Sequence, residues 1–224
     1  MNSLFNLLKK NKHILLLFYW PVNLVWYQLM RIYGDRMPRF YLVSSPIDDY
    51  IPFCEWFVLP YVTWYFYIIA VLIYTLVKGK REFLKASGMI MGCMFLSMLI
   101  TTIFPSGISE SIRPDFTALG RDNILIDIVK YLYSIDSPPR VVMPSMHAGV
   151  AAALFIVVMK AESLKGKTWI KAGSFLLSFS ICLSIVLIKQ HSYLDGIAGV
   201  ALAILLYFIV YKIIFRIKKV RDDR

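Results

Sequence analysis

Long apolar runs separated by short polar joins organise this chain. Six runs approach the ~20 residues that a helix needs to cross a bilayer. They are Ile14–Met30, Trp56–Val77, Ala86–Phe104, Pro144–Met159, Ala172–Ile188 and Tyr193–Tyr211. Proline and glycine punctuate the joins: Pro46 and Pro52 in the connection Arg31–Glu55, and Pro105-Ser106-Gly107 after the third run. Trp56, Phe57, Tyr61, Trp64, Tyr65 and Tyr67 give the second run an interfacial aromatic belt. In the longest polar loop, Ile108–Val142, the stretch Asn123–Ser134 sets Ile124, Ile126, Ile128, Val129 and Leu132 against Asp127 and Lys130, which predicts an interfacial helix. Met1–His13 sets Leu4, Phe5, Leu7 and Leu8 against Lys9, Lys10 and Lys12, an amphipathic lead for the membrane surface. The predicted fold class is all-α: a polytopic six-helix bundle forming one domain over residues 1–224, without an internal repeat.

Composition narrows this further. The chain is 58% hydrophobic with a mean hydropathy of +0.63, which excludes an ordinary soluble domain. A net charge of +11 would suit nucleic acid, but the cations sit in the joins between apolar runs. Counted on alternate joins, 17 Lys and Arg fall on one side and 8 on the other. By the positive-inside rule the richer side is cytoplasmic, so both termini are expected inside a cytoplasmic membrane. Membrane lipids, not nucleic acid, are the expected partners, and no obligate protein partner is indicated. The first run is broken by Pro21 and lacks a small-residue cleavage site, so it reads as a retained span. Cys54, Cys93 and Cys182 show neither paired nor metal-ligand spacing. No cluster of carboxylates or thiols suggests a metal, and no cofactor is expected.

The candidate chemistry lies on the outer side of this topology, at three stations. Arg113-Pro114 follows the third run, Pro144-Ser145-Met146-His147 opens the fourth, and Lys189-Gln190-His191-Ser192-Tyr193-Leu194-Asp195 joins the fifth and sixth. Ionisable groups at a membrane span mark functional sites by default. His191 and Asp195 are four apart, so at a helix start they share one face. A carboxylate beside an imidazole fixes its tautomer and raises the basicity of its other nitrogen. If the stations converge, the pocket suits a phosphate. Arg113 offers a planar fork and Lys189 a point charge. The Ser145 hydroxyl and the N–H groups near Met146, at a helix start, supply further donors. His191 is then a candidate nucleophile and His147 a candidate proton donor.

These residues resemble a known family. Arg113-Pro114, Pro144-Ser145-Met146-His147 and Ser184…His191-x-x-x-Asp195 look like the three signature motifs of the type 2 phosphatidic acid phosphatase superfamily, spread over 105–199. The resemblance implies an all-helical bundle whose members hydrolyse lipid phosphates or transfer phospho-headgroups without metal. It implies His191 as nucleophile, Asp195 as its partner and His147 as acid. Three positions depart from the pattern: Ser106 stands where the family has lysine, Met146 where it has glycine, and Ile185 where it has arginine. Lys189 is the candidate replacement cation, and the Lys-Gln-His run resembles the branch near inositol phosphorylceramide synthases. The expectation is a metal-independent lipid phosphatase, working on a lipid phosphate or diphosphate through a phosphohistidine at the extracytoplasmic face. A headgroup transferase of the inositol phosphorylceramide or sphingomyelin synthase type, and a non-catalytic lipid-phosphate binder or transporter, are the alternatives.

Overall fold

A computed structural model describes residues 12–33, 36, 41–137 and 139–215. The amphipathic lead before Lys12, the basic tail after Phe215 and Arg39 lie outside the described residues. Among the described residues there are eight α-helices: α1 (Tyr19–Tyr33), α2 (Pro46–Tyr50), α3 (Val58–Lys78), α4 (Lys80–Ile103), α5 (Ile124–Ile135), α6 (Met146–Lys160), α7 (Thr168–Leu187) and α8 (Tyr193–Tyr207). A wider π-helical stretch, Phe208–Ile214, prolongs α8. Among the described residues, the β structure is a two-residue parallel pair, β1 (Tyr41–Leu42) against β2 (Ser106–Gly107), with an isolated bridge between Gly107 and Arg140.

Among the described residues, four helices are long and apolar enough to cross a membrane: Glu55–Lys78, Lys80–Ile103, Thr168–Leu187 and Tyr193–Ile214. The other two expected spans are shorter helices. The first is a 3-10 stretch, Lys12–Phe18, followed by the 15 residues of α1. At ~2.0 and ~1.5 Å per residue the two together reach ~36 Å. The fourth, α6, has 15 residues, or ~22 Å. It is the innermost helix and packs on α8, α7 and α4. Its sequence explains its place, because Ala148, Gly149, Ala151 and Ala153 let neighbouring backbones approach closely. The span-capable helices instead turn Phe66, Ile69, Ile73, Phe175, Phe179 and Ile204 outward. An apolar exterior of this kind suits lipid. Hydroxyls make several of the interhelical polar contacts. Ser178 Oγ donates to the Ala151 carbonyl at 2.9 Å, and Tyr67 and Ser174 share a hydrogen bond of 2.5 Å.

The described ends of the chain meet at one end of the bundle. His13 packs edge-on to Phe83 at 5.7 Å, and Lys85, two residues on, lies 5.8 Å from the Phe215 ring. At the opposite end, α6 and α8 begin, α7 ends, and the loop 105–142 folds over. The expected interfacial helix is α5, capped by Asn123 Oδ1, which accepts from the N–H groups of Leu125 and Ile126. Arg121 fastens this loop to the start of α3 through Glu55 at 2.8 Å.

Candidate active site

The turn between α7 and α8 is built by two capping boxes that face each other. Ser192 is the N-cap of α8. Its hydroxyl accepts from Leu194 N–H, and the Asp195 carboxylate accepts from Ser192 N–H at 3.0 Å. Ser45 and Asp48 repeat the device at α2. Asp48 then reaches across: it accepts from the Ser192 hydroxyl at 2.7 Å and from Tyr193 N–H at 3.0 Å. Asp48 is 2% exposed, so these bonds lie out of water. The turn itself passes through Lys189 at φ 53°, the left-handed region. There the Lys189 ammonium donates to the Asp48 carbonyl at 2.6 Å. Burial lowers its pKa. The fixed charge expected to meet a phosphate is thus engaged on the protein's own backbone.

His191 and Asp195 come together as their spacing predicts. Nδ1 of His191 lies 3.4 Å from Asp195 Oδ2, and both residues are buried. This leaves His191 Nε2 as the nitrogen remote from the carboxylate. Asp195 does double duty: one oxygen serves the helix cap and stands beside the imidazole, while Oδ1 has no hydrogen-bond partner.

The second station is bolted to the third. Ser145 N–H donates to the Asp195 carbonyl at 3.0 Å, and α6 and α8 touch backbone to backbone below it. A Cβ on Gly199 would stand 2.4 Å from the Ser145 carbonyl oxygen, so only glycine permits this crossing. Ser145 is fully buried, and its hydroxyl caps α6 by accepting from Ala148 N–H at 3.4 Å. The Met146 side chain packs beside Met30, Met98 and Val141, leaving its backbone to open the helix. His147 lies between aromatic rings, 4.2 Å from Tyr61 and 4.4 Å from Trp64. Its ring centre is 6.2 Å from that of His191, and its Nε2 is buried without a partner.

Arg113 completes the group. Its guanidinium lies 4.1 Å over the face of Tyr133 and donates through Nη2 to the Asp136 carbonyl at 3.0 Å. Nε is buried and unpartnered. The Tyr133 hydroxyl donates to the Ile188 carbonyl at 2.7 Å, tying this loop to the catalytic-looking turn. Asp136 is the other acidic group here. Burial pushes its carboxyl up from 3.8 to about 6, against the pull of His191, Arg113, Tyr27 and Arg31.

The arrangement therefore gathers Arg113, Ser145, Met146, His147, Lys189, His191 and Asp195 at one end of the bundle. Orphaned buried polar atoms concentrate here: Arg113 Nε, His147 Nε2, Gln190 Oε1 and Asp195 Oδ1, while His191 Nδ1 has only its 3.4 Å approach to Asp195. Buried polar groups are ordinarily paired, so such a cluster marks a place for a polar ligand. The residues at the departing positions are neutral in this geometry. The Ser106 hydroxyl accepts from Met143 N–H at 3.2 Å, Met146 packs in an apolar cluster, and Ile185 is buried in another. Among the described residues no group of three His, Cys, Asp or Glu side chains is placed to hold a metal ion.

Sequence reasoning missed Asp48, Tyr61 with Trp64, and Asp136. The Ser45-Pro46-x-Asp48 pattern signals a helix start, but nothing local signals a partner 144 residues away. Compared with known proteins, residues 87–219 match the family model described as the PAP2 superfamily. No curated protein and no solved structure matches the chain.

Proposed function

Because the chain belongs to the PAP2 superfamily, whose members are phosphatases or phosphotransferases, we propose that it is a membrane lipid phosphatase that works through a phosphohistidine. One observation carries this reading: the buried pairing of His191 Nδ1 with Asp195 at 3.4 Å, with the His147 ring 6.2 Å away. Asp195 holds the imidazole so that Nε2 faces the phosphorus. Nε2 attacks, a P–N bond forms, and the P–O bond to the lipid breaks. The leaving oxygen takes a proton from His147. Water then attacks phosphorus and yields a proton to His147. The P–N bond breaks, phosphate leaves and His191 is regenerated. Arg113 and the first N–H groups of α6 receive the phosphoryl oxygens, doing by charge and positioning what a metal does in other phosphoryl-transfer sites.

The lipid phosphate enters at the extracytoplasmic face of a cell membrane. In this reading α1 with its 3-10 lead and α6 complete six spans, and both termini are cytoplasmic. The distribution of Lys and Arg supports it, as does the meeting of both described chain ends at the end remote from His191.

A second reading is headgroup transfer, with a lipid hydroxyl taking the place of water. It is favoured by the neutral residues Ser106 and Ile185, which suit a less charged phosphoryl group, and by the aromatic wall of Tyr61 and Trp64. The test is release of phosphate from a panel of lipid phosphates and diphosphates by the purified chain in EDTA. Release that survives chelation supports the phosphatase. Activity lost in EDTA and restored by magnesium overturns the mechanism. No release, but headgroup transfer to an added lipid alcohol, establishes the second reading.

A further inference from the structure

Arg113 shares its surroundings with a carboxylate. The Arg113 nitrogen that donates to the Asp136 carbonyl also lies 4.0 Å from Asp136 Oδ2, and the Tyr27 hydroxyl donates to Oδ1 at 3.1 Å. Tyr27 belongs to α1, so the first span holds this carboxyl against the guanidinium. The carboxyl is not needed to finish α5, because the Asp136 N–H already does so by donating to the Leu132 carbonyl. Arg31 also pulls on this carboxyl, but its guanidinium is engaged on the Ile135 carbonyl. Lys189 is engaged on Asp48, and the two positions where the family carries cations hold Ser106 and Ile185. Asp195 adds a second carboxylate beside His191.

We propose that Asp136 is a specificity-determining residue: it shares the Arg113 guanidinium with the substrate and limits the pocket to phosphoryl groups bearing a single negative charge. A phosphoryl group with one charge exchanges water for Arg113 and leaves the Arg113–Asp136 contact tolerable. A doubly charged group brings its second charge against Asp136, whose side chain is 20% exposed, in a site only partly open to water, where like charges still repel. Two sources offer a single charge: a phosphodiester at any pH, and a phosphomonoester that keeps its last proton, lost with a pKa of ~6. The inference rests on the reading that Arg113 receives the phosphoryl group.

The test is binding of dimethyl phosphate and methyl phosphate to the full chain in detergent micelles, by calorimetry at pH 8. There Asp136 is ionised, dimethyl phosphate has one charge and methyl phosphate two. For the wild type, methyl phosphate should bind no tighter than its diester. In Asp136→Asn, the preference should move toward methyl phosphate by about tenfold or more, the change expected for one close charge in a partly screened site. Asp136→Ser removes the same charge with a smaller side chain and should move the preference the same way if the Asn variant does not fold. Wild-type binding of methyl phosphate tenfold tighter than the diester overturns the proposal, as does an unchanged preference in both variants. Loss of binding of both ligands in Arg113→Ala supports the underlying phosphate site. Absence of binding to wild type and variants alike overturns that underlying reading and the proposal with it.

Discussion

Replacing Gly199 with alanine tests the closest contact in the site. The added Cβ would stand 2.4 Å from the Ser145 carbonyl oxygen and 2.9 Å from the Gly149 nitrogen. Ordinary carbon–oxygen contacts fall at ~3.3–3.6 Å, so the two helices must part by about 1 Å. Both obstacles are backbone atoms, and no side chain can rotate away. Overpacking of this kind costs ~1–3 kcal/mol, and rigid obstacles place Gly199→Ala at the upper end, ~3 kcal/mol. The same displacement strains the hydrogen bond from Ser145 N–H to the Asp195 carbonyl, which sets His147 relative to His191. A misplacement of ~1 Å at a reacting centre can cost about 100-fold in rate. Gly149→Ala, whose Cβ would meet the Gly199 carbonyl oxygen at 3.0 Å, should be milder. Gly173, on the exposed side of α7 with nothing within 4 Å, supplies the control. Gly173→Ala should be neutral or stabilising by up to ~1 kcal/mol through helix propensity. Thermal unfolding in detergent and phosphate release should give the order Gly199→Ala worst, Gly149→Ala next, Gly173→Ala unaffected. A Gly199→Ala protein that melts and turns over like the wild type would refute the close crossing.

Asp48→Ala strips acceptors from the Ser192 hydroxyl, the Tyr193 N–H and the Ser45 N–H and should destabilise by at least ~3 kcal/mol, at ~1.5–3 kcal/mol for each hydrogen bond to a charged group. It should also lower kcat more than it raises KM, with Asp48→Asn intermediate; equal effects on an unrelated substrate-free property such as melting alone, with kcat untouched, would reduce Asp48 to a purely structural role. His191→Ala should abolish both turnover and any phosphoenzyme detected by mass spectrometry. His147→Ala should slow alkyl phosphates ~10²–10⁴-fold but spare an aryl phosphate, whose leaving group needs little protonation; a phosphoenzyme persisting in His191→Ala and missing in His147→Ala would reverse the roles. Asp136, raised from 3.8 to about 6, makes the folded chain hold more protons than the unfolded one between these values. Stability should therefore fall as pH rises through that window, by about 3 kcal/mol. Asp136→Asn should remove that slope in pH-dependent melts, and an unchanged slope would show that Asp136 is not its source.

Much of the bundle was legible because membrane spans are written in runs of apolar residues, and the runs at α3, α4, α7 and α8 are long and uninterrupted. Helix α6 was legible in position but not in rank. Its Ala- and Gly-rich stretch reads as one span among six, yet that smallness is what seats it at the centre. The His191–Asp195 pairing was legible because helical spacing is local. That Asp195 would also cap α8 was open in the sequence, and the two roles proved compatible. Lys189 shows the limit. Its charge was visible, but its partner is a backbone carbonyl at Asp48, and no pattern in a sequence names the carbonyl a lysine will find. Tyr61 and Trp64 read as an aromatic belt, and their outward-belt composition concealed one ring that stacks on His147 and another tilted against it.

The clamp at Asp48 bears on how this chain could be recombined with relatives. The matched family segment begins at residue 87. Asp48, Tyr27, Tyr61 and Trp64 all precede it, yet they fasten the His191 turn, hold Asp136 and sandwich His147. A chimaera that grafts residues 87–219 onto the front third of another member would keep every motif residue and exchange the walls around them. Substrate preference should then follow the donor of the front third, while the capacity for phosphoryl transfer follows the donor of the back. The two parts are free to diverge only as far as these contacts survive, and the buried bond from the Ser192 hydroxyl to the Asp48 carboxylate is the one that ties the front third directly to the His191 turn.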